Sequence, residues 1–94
     1  MSGVIRRRLR LYGAVQGVGL RWRALHAANL TGATGWIQNE YDGSVTLEIQ
    51  APEEGIDRML AILQRGPYVS IDFMDAKTLP CVEGERGFKV REDG

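Results

Sequence analysis

The chain has 94 residues, of which 44% are hydrophobic and 26% are charged, with one cysteine and one histidine. This length predicts a single domain over residues 1–94, and one cysteine excludes both a disulfide framework and a thiolate metal site. A lone cysteine is typical of a reducing cytosol. No apolar run reaches the roughly 20 residues of a membrane span, and the N-terminus lacks the apolar stretch of a signal peptide. We therefore expect a cytoplasmic protein with no membrane partner.

Charge is balanced overall but unevenly distributed. The 12 basic and 12 acidic residues give a net charge of zero, which argues against a nucleic-acid partner. Residues 1–23 nevertheless contain no acid and hold six arginines: Arg6, Arg7, Arg8, Arg10, Arg21 and Arg23. Two interpretations stay open, namely the solvated face of a strand and a local field that attracts small anions.

The first predicted element is a half-buried strand. Leu9 and Leu11 alternate with Arg8 and Arg10, which is the two-residue period of a strand with one face in the core. A glycine-rich stretch, residues 13–19, follows the strand. A short helix is then predicted over residues 22–30, with an apolar stripe formed by Trp22, Leu25 and Ala28 and with glycines 32 and 35 beyond its end.

Residues 35–39 and 44–51 predict a β-hairpin. Asp42-Gly43 in the connection is a strong turn signal, and the second run alternates regularly. One face of that run carries Val45, Leu47, Ile49 and Ala51, and the other carries Thr46, Glu48 and Gln50.

A second helix is predicted from Pro52, with two glutamates in its first turn, where the helix dipole favours acids. Its apolar stripe consists of Ile56, Met59, Leu60 and Leu63. A fourth strand follows over residues 69–73, and residues 87–90 can add a short fifth strand at an edge. The order β-α-β-β-α-β predicts an α+β, ferredoxin-like sandwich with an antiparallel sheet and both helices on one face.

The loop between the first strand and the first helix is a candidate anion site. Gly17 and Gly19 allow backbone N–H groups to converge on one point, and Arg21 begins the helix, where free N–H groups favour negative charge. A plain tight turn is the alternative interpretation. The dinucleotide fingerprint fails because position 22 is Trp, and the P-loop fails because Arg21 follows Leu20 where Lys and Ser or Thr are needed.

Two long motifs carry a family resemblance. GAVQGVGLR (13–21) followed by GWIQNEYDGSV (35–45) resembles the acylphosphatase family, and the similarity extends to Gly66-Pro67 and Phe88. The departures are Leu20, where the family usually has Phe, and Thr31 and Ala33, which replace a typical pair of leucines. Because these changes lose apolar area, they bear on stability rather than on the chemistry.

The resemblance implies hydrolysis of an acyl phosphate to a carboxylate and inorganic phosphate. Arg21 and Asn39 match the residues that the family uses for catalysis, with Asn39 orienting the attacking water. The phosphoryl oxygens would be held by Arg21 and by the backbone N–H groups of Gln16, Gly17, Val18, Gly19 and Leu20. We expect no metal and no cofactor, an acyl phosphate as the only small-molecule partner, inorganic phosphate as product, and a monomer.

Other chemistries fit less well. Cys81 and Arg86 have four residues between them, whereas the cysteine-phosphatase loop needs five. His26 has no partner at ligand spacing, so we expect a surface or half-buried role for it. RNA-recognition modules share the element order but need exposed aromatics on the third strand, where this chain is polar. A non-catalytic anion-binding domain is the remaining alternative.

Overall fold

The structure is a computed structural model that describes residues 3–91. Its elements follow the predicted order, with one strand added at the end. They are β1 Val4–Ala14, α1 Leu20–Thr31, β2 Thr34–Asn39, β3 Val45–Pro52, α2 Glu53–Gln64, β4 Ser70–Leu79 and β5 Phe88–Arg91. Among residues 3–91, neither helix has the length and apolar character needed to cross a membrane.

The five strands form one sheet in the order β4-β1-β3-β2-β5. β1 pairs antiparallel with both β3 and β4, and β2 pairs antiparallel with β3. The α+β, ferredoxin-like fold and the short fifth edge strand are therefore confirmed. The sheet is mixed rather than purely antiparallel, because β5 crosses to the far edge and runs parallel to β2.

The hydrophobic core lies between the sheet and the helices. Leu9 and Leu11 of β1 are fully buried, as the alternation predicts, and Leu9 stands opposite Leu47 of β3. Ile37 of β2 is paired with the same Leu47, so three strands contribute to one apolar layer. From α2 this layer receives the buried side chains Ile56, Met59 and Leu63.

The buried face of α1 differs from the predicted stripe. The helix begins at Leu20, earlier than predicted, because Gly19 caps it in a left-handed conformation. Its buried residues are Leu20, Ala24, Ala27 and Ala28. This phase turns Trp22 away from the core, and 77% of its surface is exposed. The three-residue spacing of Trp22, Leu25 and Ala28 therefore does not mark the buried face of the helix.

The open face of the sheet is not simply solvated. Arg6 is only 3% exposed there, since its guanidinium bonds to Glu48 at 2.7 Å and to Glu85 at 2.7 Å. Arg8 also bonds Glu48, at 2.8 Å, and Arg10 bonds Asp42 at 2.8 Å. Arg6, Arg8 and Arg10 of β1 are therefore paired with acids from later in the chain, which reduces the charge asymmetry of the sequence.

Candidate active site

The loop between β1 and α1 has the backbone conformation that its glycines predict. Gly17 and Gly19 have φ of +72° and +76°, in the left-handed region that L side chains rarely adopt. A Cβ built on either residue meets no atom within 4 Å. The two glycines therefore border open space, and the loop is not tightened around a packed side chain.

The start of α1 offers backbone N–H groups to that space. No side chain caps this terminus at Gly19, and the first turn contains no acidic residue. Hydrogen bonds close the loop on either side, from the Val15 N–H to the Gly13 carbonyl and from the Arg23 N–H to the Gly19 carbonyl, each 3.0 Å long. Within residues 3–91, the backbone N–H groups of residues 16–20 themselves donate to no backbone carbonyl. An anion can satisfy such donors.

Asn39 reaches the same place through the sheet topology. β1 and β2 both run antiparallel to β3, so the two strands are parallel to each other and their carboxyl ends lie at the same end of the sheet. Asn39 is the last residue of β2 and is 9% exposed. A concavity of about 230 Å³ at this end of the sheet is lined by Val15, Gly17, Gly19, Leu20, Arg21, Trp22 and Asn39. The two residues expected to carry catalysis thus border one cavity with the glycine loop.

Not every loop residue faces the concavity in the same way. The Leu20 side chain is buried in the core, and Val18 packs against the core. Val18 lines a neighbouring hollow, together with Gly19, Trp22, Arg23, His26 and Pro67. These two side chains anchor the loop, which leaves the backbone to face the open space.

Gln16 connects the loop to the hairpin after Asn39. Its side-chain amide donates to the carbonyl oxygen of Glu40 at 2.6 Å and to that of Ser44 at 2.9 Å. Gln16 was expected to contribute only its backbone N–H, so this side-chain contact is a further feature of the site.

The hairpin turn is held by its own polar network. The Asp42 carboxylate accepts from the Ser44 hydroxyl at 2.6 Å and from the Ser44 N–H at 2.9 Å. These bonds, with a smaller contribution from the charge of Arg10, lower the pKa of Asp42. Ser44, held in this way, presents its carbonyl to Gln16, so the turn and the loop are joined through one chain of hydrogen bonds.

Trp22 also lines the concavity, as does Val15, although neither is among the site residues expected from the motifs. The spacing of Trp22 with Leu25 and Ala28 predicts only an apolar stripe on α1, whereas the structure places Trp22 beside Arg21 at the concavity. The signal that could have found it is its position directly after Arg21 in the motif.

The other candidates lie outside this site. His26 and Cys81 are exposed, and the Cys81 thiol donates to the Val4 carbonyl at 3.3 Å. In the part of the chain that the structure describes, no three His, Cys, Asp or Glu side chains gather into a group that could hold a metal ion.

Comparison with known proteins gives a consistent result. The family model described as Acylphosphatase matches residues 7–90. An acylphosphatase of Rhizobium etli is 45% identical over 84 residues, covering 88% of this chain and 89% of the relative. An acylphosphatase of Thermococcus kodakarensis is 36% identical over 86 residues, covering 92% and 94%. The crystal structure of acylphosphatase from Bacillus subtilis has a TM-score of 0.84 at 25% identity, covering 93% of this chain and 98% of that one. The chain belongs to the acylphosphatase family.

Proposed function

We propose that this protein hydrolyses the carboxyl-phosphate bond of acyl phosphates through the loop, Arg21 and Asn39. Family membership supports acyl phosphate hydrolysis as the general activity. The observation that carries the residue assignment is the shared concavity, because the glycine loop, Arg21 and Asn39 all line it. Hydrolysis of a phosphoryl group needs an anion cradle and a positioned water, and this concavity offers residues for both.

The phosphoryl group binds in the loop. The backbone N–H groups of Gln16, Gly17, Val18, Gly19 and Leu20 surround its oxygens, and the start of α1 adds a partial positive charge. The Arg21 guanidinium holds two of the oxygens in its planar fork. Hydrogen bonds to charged groups contribute roughly 1.5–3 kcal/mol each, so four or five of them are sufficient to hold a phosphate dianion.

Asn39 orients the water that attacks. Its amide cannot accept a proton as a general base, so the proton of the water passes to a phosphoryl oxygen of the substrate. The new bond joins the water oxygen to phosphorus, and the bond that breaks joins phosphorus to the acyl oxygen. The products are a carboxylate and inorganic phosphate, which balance the acyl phosphate and the water.

The reaction as proposed uses no metal and no general acid. The leaving group is a carboxylate whose conjugate acid has a pKa of about 4, so it departs as an anion without being protonated. Phosphoryl transfer through a loose transition state depends mainly on positioning and on stabilisation of charge. Arg21 and the loop supply both, with their donors fixed before the substrate binds.

We propose further that the chain acts as one domain, as a monomer, in the cytoplasm. A single cysteine, exposed as a free thiol, fits a reducing compartment. A small diffusible substrate requires no second subunit to complete the concavity, because residues of one chain line it.

The test is hydrolysis of a synthetic acyl phosphate in the presence of EDTA. The protein is expected to turn over, and Arg21→Ala to lose phosphate affinity and turnover together. Arg21→Lys is expected not to restore either, since lysine lacks the planar fork. Arg58→Lys on α2 is the matched control. Recovery with Arg21→Lys would contradict the two-oxygen grip.

A folded protein that binds phosphate but releases no product would instead be a non-catalytic anion-binding domain. Phosphate binding by calorimetry, run on the same preparation, separates that outcome from a protein that binds nothing. Loss of turnover on adding EDTA, with recovery on adding a divalent cation, would overturn the metal-independent mechanism.

A further inference from the structure

We propose that the open face of the sheet holds a second anion site, which takes a diphosphate group and is separate from the loop that precedes α1. A hollow of about 580 Å³ lies on that face at the β5 edge. Three cationic residues, Arg86, Lys89 and Arg91, border it together with Trp36, and we call it the β5 hollow. The proposed hydrolysis uses none of these residues, so this inference does not depend on the proposed function.

The strand pairing places the β5 hollow on the open face. Trp36 of β2 stands opposite Glu48 of β3 on that face, and on its other side it is paired with Lys89 of β5. Arg91 is two residues further along β5, so its side chain leaves the sheet on the same face as that of Lys89. The concavity beside the loop before α1 shares no lining residue with the β5 hollow.

The segment between β4 and β5 forms a wall of the hollow. It is anchored across the open face by Val82, whose N–H donates to the Gln50 side-chain oxygen at 2.7 Å and whose carbonyl accepts from the Gln50 amide at 2.9 Å. A Cβ built on Gly84 or Gly87 meets no atom within 4 Å. Within residues 3–91, the backbone N–H groups of Arg86 and Gly87 donate to no backbone carbonyl. The wall therefore adds backbone donors to the charged side chains.

The cations of the β5 hollow differ from the three arginines of β1 on the same face, each of which bonds a carboxylate. In the described chain, none of Arg86, Lys89 and Arg91 makes an ion pair or a side-chain hydrogen bond. Glu85 also borders the hollow, but it accepts bonds from Arg6 at 2.7 and 3.2 Å, and Lys89 acts on it only through its charge. Three cations thus face one carboxylate that Arg6 already holds.

Trp36 orients Arg91 without neutralising it. The guanidinium carbon lies 4.2 Å from the centre of the Trp36 ring, which is a cation–π contact. The ring attracts the cation but supplies no oxygen acceptor, so within residues 3–91 the planar fork of Arg91 has no oxygen partner. Glu92 and Asp93 follow in the sequence and lie outside the described residues. An anion at this edge can take up the fork while the ring keeps the side chain in place.

Two phosphoryl groups fit the β5 hollow better than one. A single phosphate monoester carries a charge of about −1.5 to −2 at pH 7, which is less than three cations can balance. Residues two apart on a strand are separated by roughly 6.6 Å, so Lys89 and Arg91 can each hold a different phosphoryl group. The group can belong to free diphosphate or to a nucleoside diphosphate, since both present the same oxygens.

The test follows the fluorescence of Trp36. In Trp22→Phe, Trp36 is the remaining tryptophan, and Arg21→Ala in the same chain weakens the proposed anion site of the loop. Inorganic pyrophosphate is expected to change this emission saturably, because it draws on the guanidinium that lies against the ring. Orthophosphate is expected to bind about tenfold more weakly or worse, the loss of one charged hydrogen bond. Weaker binding of ADP than of pyrophosphate identifies free diphosphate as the ligand, and equal or tighter binding identifies a nucleoside diphosphate.

Calorimetry with pyrophosphate on further variants of that chain identifies the side chains. Lys89→Ala is expected to weaken binding about tenfold, and Arg91→Lys to weaken it because an ammonium lacks the planar fork. Lys77→Ala is the matched control, since Lys77 borders another hollow of the open face, where Asp75 is present, and it is expected to leave binding unchanged. No saturable change in emission, or equal weakening by Lys89→Ala and Lys77→Ala, would overturn the site. Either result would leave the proposed hydrolysis untouched, because Lys89→Ala is expected to keep the parent kcat for an acyl phosphate when made in the wild-type chain.

Discussion

The side-chain amide of Gln16 lies 2.6 Å from the carbonyl oxygen of Glu40, the residue that follows Asn39. This contact joins the loop proposed to bind phosphate to the hairpin that follows Asn39, the residue proposed to position the water. The second bond, to Ser44 at 2.9 Å, fixes the direction of the amide. The separation between loop and Asn39 is therefore set by a side chain that does not itself line the concavity.

Replacing Gln16 is expected to reduce turnover more than it reduces stability. Gln16→Met keeps the side-chain length but removes the donor, which costs about 0.5–1.5 kcal/mol for each neutral hydrogen bond. A displacement of about 1 Å in a catalytic geometry can cost 10²-fold, so we expect kcat to fall roughly 10- to 100-fold. Gln38→Met is the matched control, because the Gln38 side chain donates to the Glu40 carboxylate, at 3.3 Å, and, among the described residues, to no backbone carbonyl of the hairpin. Wild-type kcat in Gln16→Met would contradict the positioning role.

The alternation of apolar and polar residues predicted the strands correctly where one face of the strand is buried and the other is not. Leu9 and Leu11 alternate with arginines, and β1 buries the leucines as expected. The strand order also predicts that Arg21 and Asn39 lie close together, since the parallel strands β1 and β2 finish at the same end of the sheet.

Features that depend on distant contacts could not be read in this way. Trp22, Leu25 and Ala28 have helical spacing, but the phase of α1 is set by the left-handed Gly19 at its start. Arg6 is buried beside two carboxylates that are distant in sequence, Glu48 of β3 and Glu85 of the segment between β4 and β5. Neither the start of the helix nor the path of that segment is encoded in a short periodic pattern.

Asn39→Ala is expected to lower kcat by roughly 100-fold or more while inhibition by inorganic phosphate stays nearly constant. The reason is that, in the proposed mechanism, Asn39 positions the water for the transition state, whereas the loop and Arg21 hold phosphate. Steady-state kinetics with phosphate as inhibitor measure both quantities. Asn29→Ala, at an exposed position of α1, is the control. An equal fall in phosphate affinity would assign Asn39 to binding instead.

Gly35→Ala is expected to destabilise the protein strongly. A Cβ at this position would lie 1.9 Å from the carbonyl oxygen of Glu48, so the β2–β3 pair must separate. Gly84→Ala is the matched control, because its φ of +77° is also left-handed but its Cβ meets nothing within 4 Å. We expect a loss of more than about 3 kcal/mol at Gly35 and about 1 kcal/mol at Gly84, measured by urea unfolding. Equal losses would show that backbone strain alone dominates.

Glu85 makes the stability of the protein depend on acid pH. Partial burial raises the pKa of this carboxyl, but hydrogen bonds from Arg6 and Thr34 and the charges of Arg6 and Lys89 together outweigh it and lower the pKa. A carboxyl with a lowered pKa in the folded state stabilises the fold above its unfolded pKa. That stabilisation is lost as the pH falls through the lower, folded-state pKa.

Glu85→Gln is therefore expected to lower the free energy of unfolding at pH 7 and to flatten its decline as the pH falls below about 5. The loss at neutral pH is expected to be about 1–3 kcal/mol, since the amide keeps the shape but loses a charged hydrogen bond to Arg6. Urea unfolding across this pH range measures both effects. Glu83→Gln, at an exposed position of the same segment, is the control and is expected to follow the wild-type curve. An acid decline in Glu85→Gln as steep as that of the wild type would contradict the role of Glu85 in the pH dependence.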